Sequence, residues 1–286
     1  MMDIQTVGVI GAGVMGSSLA QTLAQTGHDV ILIDHQDEVL KAVKDNFIKN
    51  VRLQMMFSRE PSKEDPQDVL DRIMFSTDPS DLSGARYVVE NVTEKWDIKE
   101  TIFKALDEIC NKDCIFASDT SAIPIQKLAM LTSRPDKVIG LHFMNPVTLK
   151  PAVEMIKSPL TSQETIEVSQ TLLRQMKKEW IMVNDSPGFV SNRVLMLTIN
   201  EAIFLVQENV ASPKDIDRVF KSCFSYKMGP LETGDLIGLD TILLSLEVLY
   251  DHLKSPKFEP CPLLKEMVAK GDLGRKSGKG FFTYPA

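Results

Sequence analysis

The sequence predicts an α/β protein, with an N-terminal, doubly wound and mostly parallel sheet followed by an all-α C-terminal part. Three observations predict it. A β-branched run, Thr6-Val7-Gly8-Val9-Ile10, ends on the glycine-rich turn Gly11-Ala12-Gly13-Val14-Met15-Gly16. Strand-like and helix-like periods then alternate as far as Val183. Beyond Asp185-Ser186-Pro187-Gly188 the strand periods stop, and apolar residues recur at helical spacing. Domains are therefore expected at residues 1–185 and 186–286.

Each element has its own signal. Val14 to Thr26 carries apolar residues at helical spacing, Gly27-His28-Asp29 breaks that helix, and Val30-Ile31-Leu32-Ile33-Asp34 is a buried strand. Together they make a βαβ unit of about thirty residues. A helix from about Glu38 to Asn50 follows, then a polar stretch around Arg59 to Asp68 that reads as an exposed loop. Strands are expected at Tyr87 to Glu90 and Cys114 to Ser118, with a helix from Trp96 to Ile109 between them. Further strands are expected at Val138 to Phe143, Pro151 to Ile156 and Ile181 to Val183, with a helix from Gln163 to Lys177 before the last. In the C-terminal part Phe189 to Asn209, Asp215 to Phe220, Leu239 to Leu253 and Leu263 to Lys270 read as helices.

Composition narrows the class. Hydrophobic residues at 43% and charged residues at 25% are those of a globular chain with a sizeable core. A net charge of −7 argues against gripping nucleic acid or an anionic membrane, which need a broad basic surface. The chain opens Met1-Met2-Asp3-Ile4 and runs straight into a strand, and no stretch reaches the roughly eighteen apolar residues of a membrane span. A cytoplasmic protein is expected. Four scattered cysteines fit a reducing compartment; Cys110 and Cys114 read as core thiols, since no further Cys or His stands at metal-ligand spacing, and no metal is expected.

The glycine string gains meaning from its place between a strand and a helix. Gly11 permits the tight turn, Gly13 lets backbone approach a pyrophosphate, and Gly16 lets the helix pack closely, while the N–H groups at Val14 and Met15 face the phosphates. The alternative is a glycine turn with no ligand. Asp34, about twenty residues on, is placed to accept from both adenosine ribose hydroxyls, and no arginine follows to receive a 2′-phosphate. NAD is thus the expected cofactor of a Rossmann-type domain. The alternative for Asp34 is a strand-end surface acid.

Catalytic groups belong near the carboxyl ends of the strands. Ser121 follows one strand and His142 lies near the end of another; of the four histidines, His142 alone is so placed. An imidazole near neutrality suits exchange of a proton with a hydroxyl, although a satisfied core histidine explains the position as well.

His142-Phe143-Met144-Asn145-Pro146, with Glu154 following, resembles the catalytic segment of 3-hydroxyacyl-CoA dehydrogenases. The resemblance extends to Val89-Glu90-Asn91-Val92-Thr93-Glu94, Ser118-Asp119-Thr120-Ser121, Asp185 to Arg193, Gly229 to Glu232, Gly234 to Asp240 and Gly274 to Phe281. It implies that His142 is the general base in oxidation and the acid in reduction, oriented by Glu154. It implies that Ser121 and Asn192 hydrogen-bond the reacting hydroxyl and the thioester carbonyl, that Asn145 supports the site, and that Glu94 and Lys99 lie near the nicotinamide and its ribose. A solvated helix-start charge pair is the other reading of Glu94 and Lys99. The implied reaction is NAD-dependent oxidation of a hydroxyacyl thioester such as 3-hydroxybutyryl-CoA, in a homodimer formed through the helical domain. The Gly274 to Gly280 tail takes a structural role rather than that of an anion loop.

Asp119 departs from the pattern, standing where the family usually has Asn and placing a carboxylate beside the substrate; Met144 and Thr148 to Pro151 differ too. Those changes make a hydroxyacyl group on an acyl carrier protein, including hydroxymalonyl-type units, the second substrate reading. Arg52, Arg59 and Lys63 are candidates for CoA phosphates, or simply a solubilising charged segment. A non-catalytic NAD sensor and a small hydroxy-acid dehydrogenase are the remaining classes. The set Ser121, His142, Glu154 and Asn192 argues against the first; the lack of an obvious carboxylate-pairing arginine near His142 argues against the second.

Overall fold

The computed structural model describes residues 4–57 and 64–285, and the chain divides into two compact units between Ser186 and Pro187. In the first unit eight strands form one sheet: β1 (Thr6–Ile10), β2 (Asp29–Ile33), β3 (Ile73–Ser76), β4 (Tyr87–Glu90), β5 (Ile115–Ser118), β6 (Val138–His142), β7 (Ala152–Lys157) and β8 (Glu179–Asn184). Their order is β3-β2-β1-β4-β5-β6-β7-β8. Every pairing is parallel except β6 with β7. Around the sheet run α1 (Val14–Gln25), α2 (Asp37–Phe57), α3 (Pro66–Asp71), α4 (Trp96–Ile109), α5 (Ile125–Ala129) and α6 (Gln163–Gln175). The sheet strands are nearly continuous apolar runs because helices cover them; β4, β5 and β6 are buried at every position.

Strand β3 and helix α3 fall where the sequence reading has no element. β3 is a four-residue edge strand in which only Ile73 is fully buried, so it lacks the long apolar run that marks the central strands. α3 is a single short stretch started by Asp65, whose Oδ1 accepts the Gln67 N–H at 2.8 Å, with Pro66 in the first helical position. α2 continues past Asn50 to Phe57. Arg59 and Lys63 lie outside the described residues.

The winding reverses at β1, which has β2 on one side and β4 on the other. Such a reversal opens a crevice at the carboxyl ends of the strands. The turns leaving the strands stay tied to it: Ile33 O accepts the Gly11 N–H at 2.7 Å and Ile10 O accepts the Asn91 N–H at 2.8 Å. At the other side of the sheet the antiparallel register sets His142 directly opposite Glu154 and Gly140 opposite Ile156.

The second unit packs α7 (Ser191–Gln207), α8 (Pro213–Cys223), α9 (Pro230–Ile237), α10 (Leu239–Leu253) and α11 (Pro262–Ala269) around Met196, Ile199, Ile203, Leu246, Phe258 and Leu264. α9 is a further addition; its glycine-bearing sequence hides the helical period, and Asp217 starts it by accepting the Leu231 and Glu232 N–H groups at 2.9 and 2.8 Å. Asn192 is the second residue of α7. The glycine-rich tail is fixed by Asp235, which accepts the N–H groups of Phe281 and Phe282 and the Tyr284 hydroxyl. Among the described residues no helix is long and apolar enough to cross a membrane.

Gly140 tests how tightly the sheet is packed beneath the His142 end. A Cβ there would lie 2.8 Å from both Ile125 Cδ1 and Ile156 Cβ, the second of which belongs to a paired strand. Gly140→Ala should cost about 1–3 kcal/mol of unfolding free energy by overpacking. An unchanged urea midpoint for this unit would contradict that packing.

Candidate active site

The cofactor end is built from β1, the turn after it and the end of β2. Gly11 has φ +95°, and a Cβ on it would approach Asn91 O to 2.7 Å. A Cβ on Gly16 would lie 1.8 Å from Gly11 O, so only glycine lets α1 close onto the turn. Beside Gly13 the space is open. The first bond in α1 is from Ser17 N–H to Gly13 O at 2.9 Å, which places Val14, Met15 and Gly16 in the turn whose N–H groups a helix leaves for other acceptors. Asp34 ties the second strand to the turn: Oδ2 accepts the Ala12 N–H at 2.8 Å and Oδ1 the Gln36 N–H at 3.1 Å.

A cleft of about 530 Å³ opens here, lined by Gly11, Gly13, Asp34, Asn91, Val92 and Ile98 among others. One wall carries an unmet polar atom: Asn91 Oδ1 is buried and has no hydrogen-bond partner. A buried acceptor left so asks for a donor from a ligand. The cleft, the open face at Gly13 and this acceptor fit a dinucleotide.

The residues expected to react come from the other carboxyl ends. Ser121 follows β5, His142 ends β6, and Glu154 sits near the start of the returning strand β7. His142 Nδ1 and Glu154 Oε2 are 3.1 Å apart, and His142 Nε2 and Ser121 Oγ are 3.1 Å apart. Side chains of both His142 and Glu154 are 7% exposed. With Nδ1–H donated to the carboxylate, the Nε2 lone pair points to the Ser121 hydroxyl side, the arrangement that makes an imidazole a directed base. The structure therefore brings Ser121, His142 and Glu154 into one chain of contacts.

The remaining expected residues are placed as follows. Glu94 Oε1 accepts the N–H groups of Ser121 and Ala122 at 3.0 and 2.9 Å and the Thr120 hydroxyl, so its carboxylate lies under the Ser121 turn. Lys99 is no solvated charge: its side chain is 1% exposed, and Nζ lies 2.6 Å from Glu90 Oε1, 3.3 Å from Val92 O and 3.4 Å from Glu94 Oε2. Burial pulls the Lys99 ammonium down, but Glu90 and Glu94 outweigh it and hold the group above its ordinary value. Asn145 precedes Pro146 through a cis peptide and lines a second cavity of about 400 Å³ with Ser17, Gln21, Asn50 and Gln54. Arg52 is exposed on α2.

Asp119, expected to set a carboxylate beside the substrate, is bound to the backbone next to His142. Its Oδ1 accepts the Phe143 N–H at 2.7 Å, on the residue next to His142. Some of its surface is reachable, but protein surrounds the carboxyl. Desolvation holds it well above the usual carboxylate range, the Phe143 N–H and Lys99 pull it back, and Glu90 and Glu94 push it further up.

Glu90 and Thr120 carry no role in the sequence reading. Glu90 is fully buried; besides Lys99 it takes the Val92 N–H at 2.7 Å on Oε1 and the Ser118 hydroxyl at 2.6 Å on Oε2. An acid closing an otherwise apolar strand is the signal that marks it. Lys178 is a further buried cation, donating to Val147 O and Lys150 O at 2.6 Å each and so fixing the segment after Asn145. Among the described residues no cluster of three metal-ligating side chains occurs.

Comparison with known proteins places this geometry in a family. Residues 6–186 match the family model of the 3-hydroxyacyl-CoA dehydrogenase NAD-binding domain, and residues 188–284 match that of the C-terminal domain. A probable 3-hydroxybutyryl-CoA dehydrogenase of Deinococcus radiodurans is 45% identical over 277 residues, covering 97% of this chain and 99% of that protein. The 3-hydroxybutyryl-CoA dehydrogenase of Clostridioides difficile is 39% identical over 280 residues, covering 96% and 98%. The crystal structure of (S)-3-hydroxybutyryl-CoA dehydrogenase from Ralstonia eutropha superposes with a TM-score of 0.92 at 40% identity, covering 99% of this chain and all of that one. The chain belongs to the 3-hydroxyacyl-CoA dehydrogenase family and is an NAD-dependent oxidoreductase acting on a CH–OH group.

Proposed function

We propose that this enzyme oxidises a short 3-hydroxyacyl-CoA, such as 3-hydroxybutyryl-CoA, to the 3-ketoacyl thioester, with His142 taking the hydroxyl proton. The observation that carries the reading is the contact chain Ser121–His142–Glu154 at the carboxyl edge of the same sheet that holds the glycine turn. The Gly11 to Gly16 turn and the Asp34 end of β2 would hold NAD, which would supply the acceptor for the carbinol hydride. Ser121 Oγ and His142 Nε2 converge on the alcohol oxygen, so that oxygen is held while its proton passes to the imidazole. Glu154 keeps Nδ1 protonated and stabilises the imidazolium that forms; in the reverse direction the same proton returns to the ketone oxygen.

Two observations bear on an acyl thioester carried on a pantetheine arm, which CoA and an acyl carrier protein share. Asp119 is turned to the Phe143 N–H, and burial raises its carboxyl above the usual range, so it is part of the protein's own hydrogen bonding. The cavity beside Asn145 has polar side chains at Ser17, Gln21, Asn50 and Gln54, and Gln21 Nε2 is a buried donor without a partner. An amide-bearing pantetheine arm offers the acceptor that such a donor lacks. We also infer a homodimer through the helical unit, where Val219, Phe224 and Tyr226 expose apolar surface. Light scattering should then give twice the chain mass of 32.0 kDa; a monomer at micromolar concentration would refute that inference.

His142→Ala should lower turnover of 3-hydroxybutyryl-CoA by about 10²–10⁴-fold, the range for a lost acid–base group, with NADH fluorescence titration unchanged. Full turnover in that variant would sink the mechanism. The same assay run against hydroxyacyl groups on an acyl carrier protein should favour CoA, and a large preference for the carrier protein would reverse the substrate assignment.

Asp119→Asn tests the carboxyl. A group whose folded pKa is raised contributes stability that is complete below its unfolded value and lost as pH rises through the folded one. The amide still accepts from Phe143 and has nothing to lose, so the variant should gain on the native protein between pH 5 and pH 8 in urea midpoint while keeping its turnover. An equal difference at both pH values would show that Asp119 is an ordinary carboxylate.

A further inference from the structure

Lys178 is a buried ammonium with no acid to hold it. The residue is 8% exposed, among the described residues no carboxylate pairs with it, and burial lowers the group from its ordinary value. Two backbone oxygens take the place of a counter-ion: Nζ donates to Val147 O and to Lys150 O at 2.6 Å each. Both oxygens belong to the connection between β6 and β7. Within it Pro146 O accepts the Leu149 and Lys150 N–H groups at 3.1 Å, so residues 146–150 form one turn, and Lys178 grips that turn at two points. The lysine is itself fixed from a third direction. It stands between α6 and β8, where its own N–H donates to Leu173 O at 2.8 Å and the following Glu179 N–H donates to Pro151 O at 2.9 Å.

The turn it grips faces two ways. Val147 is 1% exposed and belongs to the core, while Asn145, Thr148 and Leu149 line the same cavity of about 400 Å³ as Gln21 of α1 and Gln54 of α2. We propose that Lys178 is a positioning residue that sets this turn as a wall of the cavity, and that it governs affinity for the thioester arm rather than cofactor binding or the chemical step. The inference rests on the reading of that cavity as the pantetheine site. The helical walls are held by their own ladders, but the turn depends on ties from outside it. Without the ammonium, Val147 O and Lys150 O lose their donor, and the turn must move to recover one. Such a movement displaces Thr148 and Leu149, which would meet the arm. His142 and Glu154 keep their strand pairing, and no hydrogen bond of Lys178 reaches the glycine turn. A loss of that kind raises KM and spares kcat.

The test is Lys178→Met in the full chain, which keeps the apolar stem and removes the donors. It is assayed with 3-hydroxybutyryl-CoA and with S-methyl 3-hydroxybutanethioate, a thioester that has no arm. KM for the CoA thioester should rise about tenfold, the measure of one lost polar tie. Both kcat and the NADH dissociation constant should stay within about threefold, and kcat/KM for the methyl thioester should change by less than about threefold. Equal losses on the two thioesters, a weakened NADH affinity, or an unchanged KM for the CoA thioester would overturn the proposal. Where Lys178→Met fails to fold, Lys178→Gln decides by the ratio of kcat/KM between the two thioesters. Its amide keeps two N–H groups on a shorter stem, so the ratio should shift against CoA by about threefold, and an unchanged ratio would again overturn the proposal. Gln21→Leu removes the unpartnered donor of the cavity. An unchanged KM for CoA in that variant would strike the pantetheine reading and this proposal with it, whereas a raised KM there beside an unchanged one in Lys178→Met strikes the role of Lys178 alone.

Discussion

The one antiparallel pairing in the sheet, β7 on β6, is the constraint on which the His142–Glu154 pair depends. In a parallel ladder every strand ends at the same edge, and a residue near the start of the next strand lies at the opposite edge from the carboxyl end of its neighbour. Reversal of β7 removes that separation. Its first residues come to the edge where β6 ends, and register sets Glu154 directly across from His142. Directly opposed residues have Cβ atoms about 4.5–5.5 Å apart on one face, close enough for an imidazole and a carboxylate to bond. The twelve-residue interval between His142 and Glu154 is thus the length of an antiparallel return, and the acid is held by the backbone ladder.

Burying so many ionisable groups beside one another needs compensation. A buried carboxylate or ammonium costs several kcal/mol unless paired and hydrogen-bonded. Glu90, Lys99 and Glu94 answer this jointly: every oxygen of the two acids has a donor, and all three ammonium hydrogens have an acceptor within reach. A third acid, Asp119, shares the neighbourhood, and a single lysine does not balance three full negative charges. Desolvation resolves the excess by holding the Asp119 carboxyl above the usual range. Asp119 then makes the hydrogen bond that an asparagine would make.

How far the sequence discloses this architecture depends on whether a feature is local. The β1–α1–β2 unit is fully legible, since its glycines, its β-branched runs and Asp34 all bear on one turn. Edge strand β3 is not, because four residues with one buried position carry no period. His142 with Glu154 is recognised through resemblance; the pairing itself follows from a register that the residues alone do not reveal. Glu90 shows only as an acid closing an otherwise apolar strand; the partners that hold it come from other segments of the chain. Lys99 was open to a closer reading: it lies on the stripe of α4 that carries Phe103 and Leu106, at spacings of four and three, and a charge in a buried stripe needs a partner. The carboxylates that receive it are nine and five residues earlier in the chain.

Two ways of holding a side chain are therefore combined at one edge. His142 and Glu154 inherit their positions from strand pairing, so their geometry changes only if the sheet changes. Ser121 has no ladder, and its place is defined by side chains reaching from the β4–α4 connection to the turn after β5. Loops give reach and scaffolds give rigidity, and a loop residue matches a strand residue in precision only when polar groups tie it down. The buried Glu90–Lys99–Glu94 cluster supplies those ties. The cluster sits between the cofactor cleft, lined by Val92, and the Ser121 turn. The segment that borders the dinucleotide is thereby fastened to the same carboxylates that hold the serine.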